Sequence, residues 1–264
     1  MVTGIVQSMI PILVLSLKRS TDRRAYMAGH LGALGIAFTF VDGVDGAALP
    51  PGYEADLAYA DFPLAIGPYE IGCWLGHKVA WRAIIASGAP CGFVFEDDVK
   101  VSPDILRFLG DLTWLPRDAD IVKVEASAPV ALDLSLRHRP ALDRRLYRLR
   151  GDMVCAAGYF ITAAAAARLE RMPIDCRFQN DRFLFDRRSP AYRLLTTYLL
   201  DPALCVQVDN FTSFLGIDRA ALPPRISSLP YRRPPLSEMI PKEIRRVGAQ
   251  LALRFSRKRV IEWR

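Results

Sequence analysis

The chain has 264 residues, 51% of them hydrophobic and 24% charged, with a formal net charge of +7. That balance excludes a disordered or fibrous chain and supplies a sizeable core for one large domain or two small ones. No apolar run approaches the roughly 20 residues that a membrane-spanning helix needs.

The N-terminal run MIPILVLSL is followed, not preceded, by Lys18 and Arg19, the wrong order for a secretory signal. Its second half, PILVLSL (11–17), reads as a strand buried on both faces. Ser20 or Thr21 is placed to cap a helix ending near Leu34, where Gly35 stops it. IAFTFV (36–41) reads as a second strand, closed by the turn-rich VDGVDG (41–46). Residues 47–67 are expected to form a loop with a short helical turn. PYEIGCWLGHKVAWRAIIASG (68–88) is the clearest helix, with Pro68 at its start and Gly88 at its end. Its Ile71, Leu75, Val79 and Ala83 form an i+4 ladder expected to face a sheet.

CGFVFE (91–96) reads as a third strand and DADIVKVE (118–125) as a fourth. Between 126 and 157 an irregular, Arg-rich surface excursion is expected. AAGYFIT leads into an alanine-rich helix over 163–171, and short strands are expected near 192–198 and 204–208. Residues 222–241 are a proline-dense linker. From residue 219 onward 12 Lys/Arg face 3 Asp/Glu, a balance of +9, whereas the first 218 residues stand at −2. In this tail Ile244, Val247, Leu251 and Phe255 recur at helical spacing among arginines. A basic amphipathic helix of this kind suits either an anionic membrane surface or docking with a solvated charged face. Nucleic acid is disfavoured, since no base-reading motif or aromatic-interleaved patch accompanies the charge. Five scattered cysteines without a CxxC pair suggest free thiols and a cytoplasmic chain.

Strands alternating with helices predict an α/β fold with a mainly parallel, doubly wound sheet, whose ligands sit outside the carboxyl ends of the strands. The division expected is a domain over 1–218 and a linker with a basic helical tail over 219–264. Three strand ends carry chemistry. In FVFEDDVKVS, alternation puts Glu96 and Asp98 on one side and Asp97 on the other. Two like charges on one side disfavour joint ionisation unless a cation lies between them. Hard divalent ions such as Mn²⁺ or Mg²⁺ accept such oxygens and complete their shell with phosphates. An acidic turn paired with Lys100 is the plainer alternative. After the first strand come Lys18, Arg19, Arg23 and Arg24, suited to diphosphate oxygens. After the second, VDGVDG offers Asp42 and Asp45 as ribose or base acceptors, with glycines that permit close approach to a ligand. His77, seven residues after Glu70 on the long helix, is a candidate for proton chemistry or for a structural role.

Together these stretches resemble glycosyltransferase family 25, the lipopolysaccharide and lipooligosaccharide sugar transferases. The likeness runs through PILVLSLKRSTDRRAYM, FTFVDGVDG, EIGCWLGHKVAWRAI, FVFEDDVKVS, AAGYFITAAAAARL, MPID and DPALCVQVDNFTSFLG, over residues 10–216. Gly76 departs from the serine usual before the family's histidine. The resemblance implies a GT-A-like (Rossmann-like) nucleotide-sugar-binding fold and an inverting transferase. It further implies a UDP-sugar donor, often UDP-galactose, a glycan or lipid-linked acceptor, and usually Mn²⁺. Carried over by position, Glu96, Asp97 and Asp98 stand as the metal-binding motif, with Asp98 and either Glu96 or Asp97 as ligands and Asp209 as a third. Asp175 or Asp181 stands as the base that takes the acceptor proton. A lipid-linked acceptor would bring the chain to the inner membrane face. The alternatives are a non-catalytic nucleotide-sugar-binding protein of the same fold and a metal-dependent nucleotidyltransferase.

Overall fold

The computed structural model describes residues 10–62, 65–126, 131–208, 253 and 256–263. The apolar run forms β1 (Ile12–Ser16), followed by α1 (Thr21–Ala33) and β2 (Thr39–Asp42). Ser20 is the residue before α1, but its hydroxyl makes no capping bond, so the helix start is held without it. A 3₁₀ turn (Tyr53–Asp56) leads to β3 (Leu57–Ala58), and then comes α2 (Pro68–Ala86), with proline in its first turn. β4 (Cys91–Glu96), β5 (Val99–Val101), α3 (Ile105–Gly110), β6 (Ile121–Lys123) and β7 (Glu125–Ala126) follow. β8 (Leu132–Ala141) and β9 (Arg144–Leu149) precede β10 (Gly158–Thr162) and α4 (Ala163–Glu170). Thr162 does cap α4, its Oγ1 accepting from Ala165 N at 3.2 Å. The remaining elements are β11 (Ile174–Asp175), α5 (Asn180–Phe185), α6 (Pro190–Leu194), β12 (Thr197–Asp201), β13 (Cys205–Gln207) and β14 (Ser256–Arg259).

Among the described residues the central sheet has nine strands in the order β14-β8-β9-β12-β6-β10-β4-β1-β2. The three strands expected to lie together do so: β1 runs parallel to β2 on one side and to β4 on the other. The sheet is not mainly parallel, however. β10 inserts antiparallel between β4 and β6, and β12–β9, β9–β8 and β8–β14 are antiparallel too. Beyond β1, β2 and β4, only β12–β6 is parallel within this sheet. The fold is therefore α/β with a mixed sheet.

Two further expectations are corrected. The segment read as an irregular excursion contains the β8–β9 hairpin, turned at Leu142 and Asp143, with Leu142 at φ +54°. Leu132, Leu134, Tyr147 and Leu149 are buried on the α2 side of the sheet and Leu146 on the other, while Arg137, Arg139 and Arg145 of the expected loop point to solvent and Arg144 is buried. The tail residues 256–259 are a strand, not a helix: β14 covers the edge of β8 and removes an unpaired ladder. Beyond it Ile261 is buried. The linker and the greater part of the proposed tail helix lie outside the described residues.

Apolar side chains leave both faces of the sheet. Leu13, Val94, Tyr159 and Ile161 pack with α2, α4 and α5. Ile12, Val14, Phe93, Phe95 and Phe160 pack with α1 and α3 on the other face. The buried stripe of α2 is rotated from the expected ladder. It runs through Ile71, Trp74, His77, Trp81 and Ile84, leaving Val79 and Ala83 only partly buried.

Gly46 of VDGVDG and Gly72 of EIGC fit against one another, while Gly43 lies against Leu17. A Cβ at Gly72 would stand 2.6 Å from the Val44 carbonyl oxygen, and one at Gly46 would stand 2.4 Å from Tyr69 Cα. The first turn of α2 thus rests backbone-to-backbone on the loop after β2. Gly72→Ala should destabilise the protein by about 1–3 kcal/mol through overpacking, seen as a lower urea midpoint with an unchanged slope.

Candidate active site

The carboxyl ends of β1, β2 and β4 open on the same side, as parallel neighbours must. Leu17, Lys18, Arg19, Asp42, Gly43, Val44, Asp45, Ala48 and Pro50 line an open cleft of about 420 Å³ there, within the size range of small-molecule sites. Its basic residues already have partners. Arg19 Nε donates to Asp45 Oδ2 at 2.6 Å, and Arg24 Nη2 donates to Asp42 Oδ1 at 2.6 Å. Lys18 Nζ lies 3.3 Å from Asp42. Arg24 also donates to the Ser16 and Leu17 carbonyls and so holds the loop after β1 in shape. Lys18 and Arg19 are solvated at the rim, where their pairings are weak and exchangeable.

β4 ends at Glu96, and Asp97 and Asp98 form the turn into β5 rather than the extended strand that alternation assumed. Asp97 turns inward: Oδ2 accepts from Ser16 Oγ at 2.6 Å and Oδ1 from Arg23 Nη1 at 2.7 Å. Glu96 and Asp98 share the other side, where Gln207 Nε2 lies 3.4 Å from Glu96 Oε2 and 3.4 Å from Asp98 Oδ1. Arg23 Nη1 stands 3.5 Å from Asp98 Oδ2. Gln207 belongs to β13, which pairs with β5 in a separate small sheet. Desolvation, then Glu125, Asp97 and Asp181, push the Glu96 carboxyl up to about 8. Desolvation, then Glu96, raise Asp98 to about 7 despite Arg23. The pair is short of positive charge.

Beneath it lies a buried polar column. His77 is fully buried, with Nδ1 2.9 Å from Tyr159 Oη, which also accepts from Trp81 Nε1 at 3.0 Å. Nε2 points at Glu96 Oε1, 3.6 Å away, and has no hydrogen-bond partner. Burial lowers the imidazole to about 4, so the ring is neutral. Nearby, Lys123 and Glu125 form a fully buried ion pair at 2.7 Å, and Lys123 also donates to the Cys155 carbonyl at 2.7 Å. Breaking such a pair costs about 3–5 kcal/mol.

The two base candidates are placed differently. Both oxygens of buried Asp175 accept from Arg177, at 2.8 and 2.6 Å, whose guanidinium lies 3.6 Å from the centre of the Tyr59 ring. Asp181 begins α5, accepting from Cys155 N at 2.8 Å and Arg182 N at 2.7 Å. It also acts electrostatically on Glu96, Cys73 and His77. Asp209 lies outside the described residues. Gln207, Tyr159, Ser16 and the Lys123–Glu125 pair escaped the sequence reading. Only the alternating polar residues of DADIVKVE hinted at the last, and neutral or hydroxyl-bearing strand residues carry no signal of their own.

Residues 9–184 match glycosyltransferase family 25 (LPS biosynthesis protein). The chain belongs to glycosyltransferase family 25. It is 31% identical over 230 residues to the lacto-N-neotetraose biosynthesis glycosyltransferase LgtE of Neisseria gonorrhoeae, covering 77% of this chain and 76% of the relative. To LgtB of Neisseria meningitidis serogroup B it is 30% identical over 222 residues, 76% of each chain. The lipooligosaccharide biosynthesis protein lic2B of Haemophilus influenzae is 24% identical over 204 residues, 74% of each. In this family 25 transferase Gly76 lies against β1, where a Cβ would stand 3.1 Å from Leu15 Cδ1. A side chain there faces Leu15, so the glycine removes no group from the carboxylates.

The crowded carboxylates give the metal-free transferase a distinctive pH dependence. Folding holds the Glu96 and Asp98 protons more tightly than the unfolded chain does. The stability they contribute is full below the ordinary carboxylate range and is lost as pH rises through about 7 to 8. His77 acts in the opposite sense and lower, losing its contribution as pH falls below about 6.5 toward 4. In chelator the thermal midpoint should therefore fall between about pH 6.5 and 8.5, and fall less in Glu96→Gln. Equal slopes for both proteins would refute this account of the cluster.

Proposed function

We propose that this chain transfers a sugar, galactose foremost, from a UDP-sugar to a glycan or lipid-linked acceptor in lipopolysaccharide or lipooligosaccharide biosynthesis, inverting the anomeric centre with a divalent cation. The observation that carries this reading is the Glu96–Asp98 pair. Two desolvated carboxylates on one side of a strand end, linked by a neutral amide, match the oxygen donors that Mn²⁺ or Mg²⁺ prefers. Asp97, committed to Ser16 and Arg23, serves as their brace. When bound, the ion neutralises the departing diphosphate.

The chain's own residues do the rest. The cleft beside Asp42 and Asp45 receives the nucleoside, and Lys18 and Arg19 exchange aspartate for phosphate oxygens. As the bond from the anomeric carbon to the UDP oxygen breaks, the acceptor oxygen attacks from the opposite face. Asp181 takes that hydroxyl's proton. Asp175, locked to Arg177, supports the fold, and neutral His77 positions Glu96 from below. The relatives named for lipooligosaccharide synthesis favour an acceptor of that class.

UDP release from a panel of UDP-sugars, with and without Mn²⁺, tests the reading. Asp98→Asn and Asp181→Asn should each lower turnover by at least about a hundredfold, Asp181→Asn with UDP binding retained. Asp175→Asn should lower the thermal midpoint and leave turnover per folded molecule near wild type. Wild-type rates in Asp98→Asn would reject the scheme, and UDP binding without turnover in the wild type would favour the non-catalytic reading.

We further propose that the basic tail meets anionic lipid at the cytoplasmic face of the membrane. Deleting the tail would also remove β14, so charge reversal is the cleaner test. Arg245→Glu/Arg246→Glu should reduce co-sedimentation with phosphatidylglycerol vesicles at constant stability, and unchanged sedimentation would count against lipid contact.

A further inference from the structure

Cys73 and His77 stand four residues apart on α2, about one turn, and so share a face of the helix. That face meets the end of β4. The Cys73 thiol sulfur, a ring nitrogen of His77 and a carboxylate oxygen of Glu96 all lie within 4.8 Å of one another, and Nε2 and Oε1 are 3.6 Å apart. An ion with ligand bonds of about 2.0–2.3 Å places tetrahedral neighbours about 3.3–3.8 Å apart. The three groups need only small adjustments to reach that spacing.

A second observation points the same way. Nε2 of His77 is a fully buried polar atom without a hydrogen-bond partner among the described residues, an arrangement that calls for a ligand or an ion. The other ring nitrogen lies against Tyr159 Oη, whose two lone pairs can accept from both His77 and Trp81. With its proton donated there, the ring presents the Nε2 lone pair toward Glu96, as an outer partner does for metal-bound histidines. Cys73 is an exposed residue, so the cluster lies next to solvent.

We propose that Cys73, His77 and Glu96 form a three-ligand site for a thiophilic divalent cation of the zinc class. Sulfur, imidazole and carboxylate together select such an ion over Mn²⁺ or Mg²⁺, which prefer oxygen alone. The site is distinct from the Glu96–Asp98 pair but shares one residue with it: Glu96 turns Oε1 to His77 and Oε2 to Gln207. A zinc-class ion therefore draws Glu96 away from Asp98 and opposes binding at the carboxylate pair. Its binding is independent of the sugar-transfer reading.

The test uses the full chain, reduced and stripped of metal, titrated with Co²⁺ as a coloured stand-in for Zn²⁺. One equivalent should produce a thiolate-to-cobalt charge-transfer band and the intense visible bands of a tetrahedral ion, both displaced by Zn²⁺. Cys73→Ser, a near-isosteric change at an accessible position, should abolish the charge-transfer band. Glu96→Gln should weaken Co²⁺ binding by at least about tenfold to a hundredfold. His77→Gln, checked for native circular dichroism, should also lose the tetrahedral spectrum. No charge-transfer band in the wild type up to about 1 mM Co²⁺, or a band that survives in Cys73→Ser, would overturn the site.

Discussion

The turn from β4 into β5 sets Glu96 and Asp98 around the amide of Gln207, 3.4 Å from a carboxylate oxygen of each. Like charges so placed, partly removed from water, resist joint ionisation, and the surrounding architecture can be understood as compensation for it. Arg23 reaches in from α1, His77 comes up from α2, and a small sheet of β5, β13 and β7 delivers Gln207. Each partner comes from a different element, so the carboxylates come together only when the whole fold is assembled.

Rigidity beneath the pair follows from buried polar groups with few alternatives. His77, Tyr159 and Trp81 satisfy one another between α2 and β10, and Lys123 and Glu125 neutralise one another at the end of β6. Polar networks in a low-dielectric interior specify one arrangement when their members are paired. The two atoms left over, His77 Nε2 and Glu125 Oε1, are accordingly informative. The first lies 3.6 Å from Glu96 Oε1.

The rim behaves differently. Lys18 and Arg19 are paired with Asp42 and Asp45 in solvent, where such pairs contribute little and exchange readily. On the proposed reading, these groups are held near the site and released to the diphosphate of the donor. The aspartates also keep this basic loop from standing as an unpaired positive patch. The contrast between a braced interior and an exchangeable rim is what a site on rigid elements with mobile ligand contacts requires.

Periodicity alone located β1, α1, β2, α2, β4 and α4, because each is an apolar run or stripe of the right length between turn residues. That the acidic run closes β4 was also legible, whereas the separate partners of Asp97 came from a turn and not from strand alternation. The hairpin of β8 and β9 was hidden by arginines whose long stems tolerate a strand's outer face, and the mixed sheet by β10, whose direction no local pattern encodes. Which carboxylate is braced, which base candidate is tied to its own arginine, and which histidine nitrogen is left bare were settled only by contacts between distant segments. Ser16 meets Asp97 across 81 positions and Gln207 meets Glu96 across 111. A sequence by itself determines which residues favour a strand, a helix or a turn, since those preferences act over a few neighbours. Partnership depends on desolvation and on where remote side chains end up, and that only the tertiary structure decided.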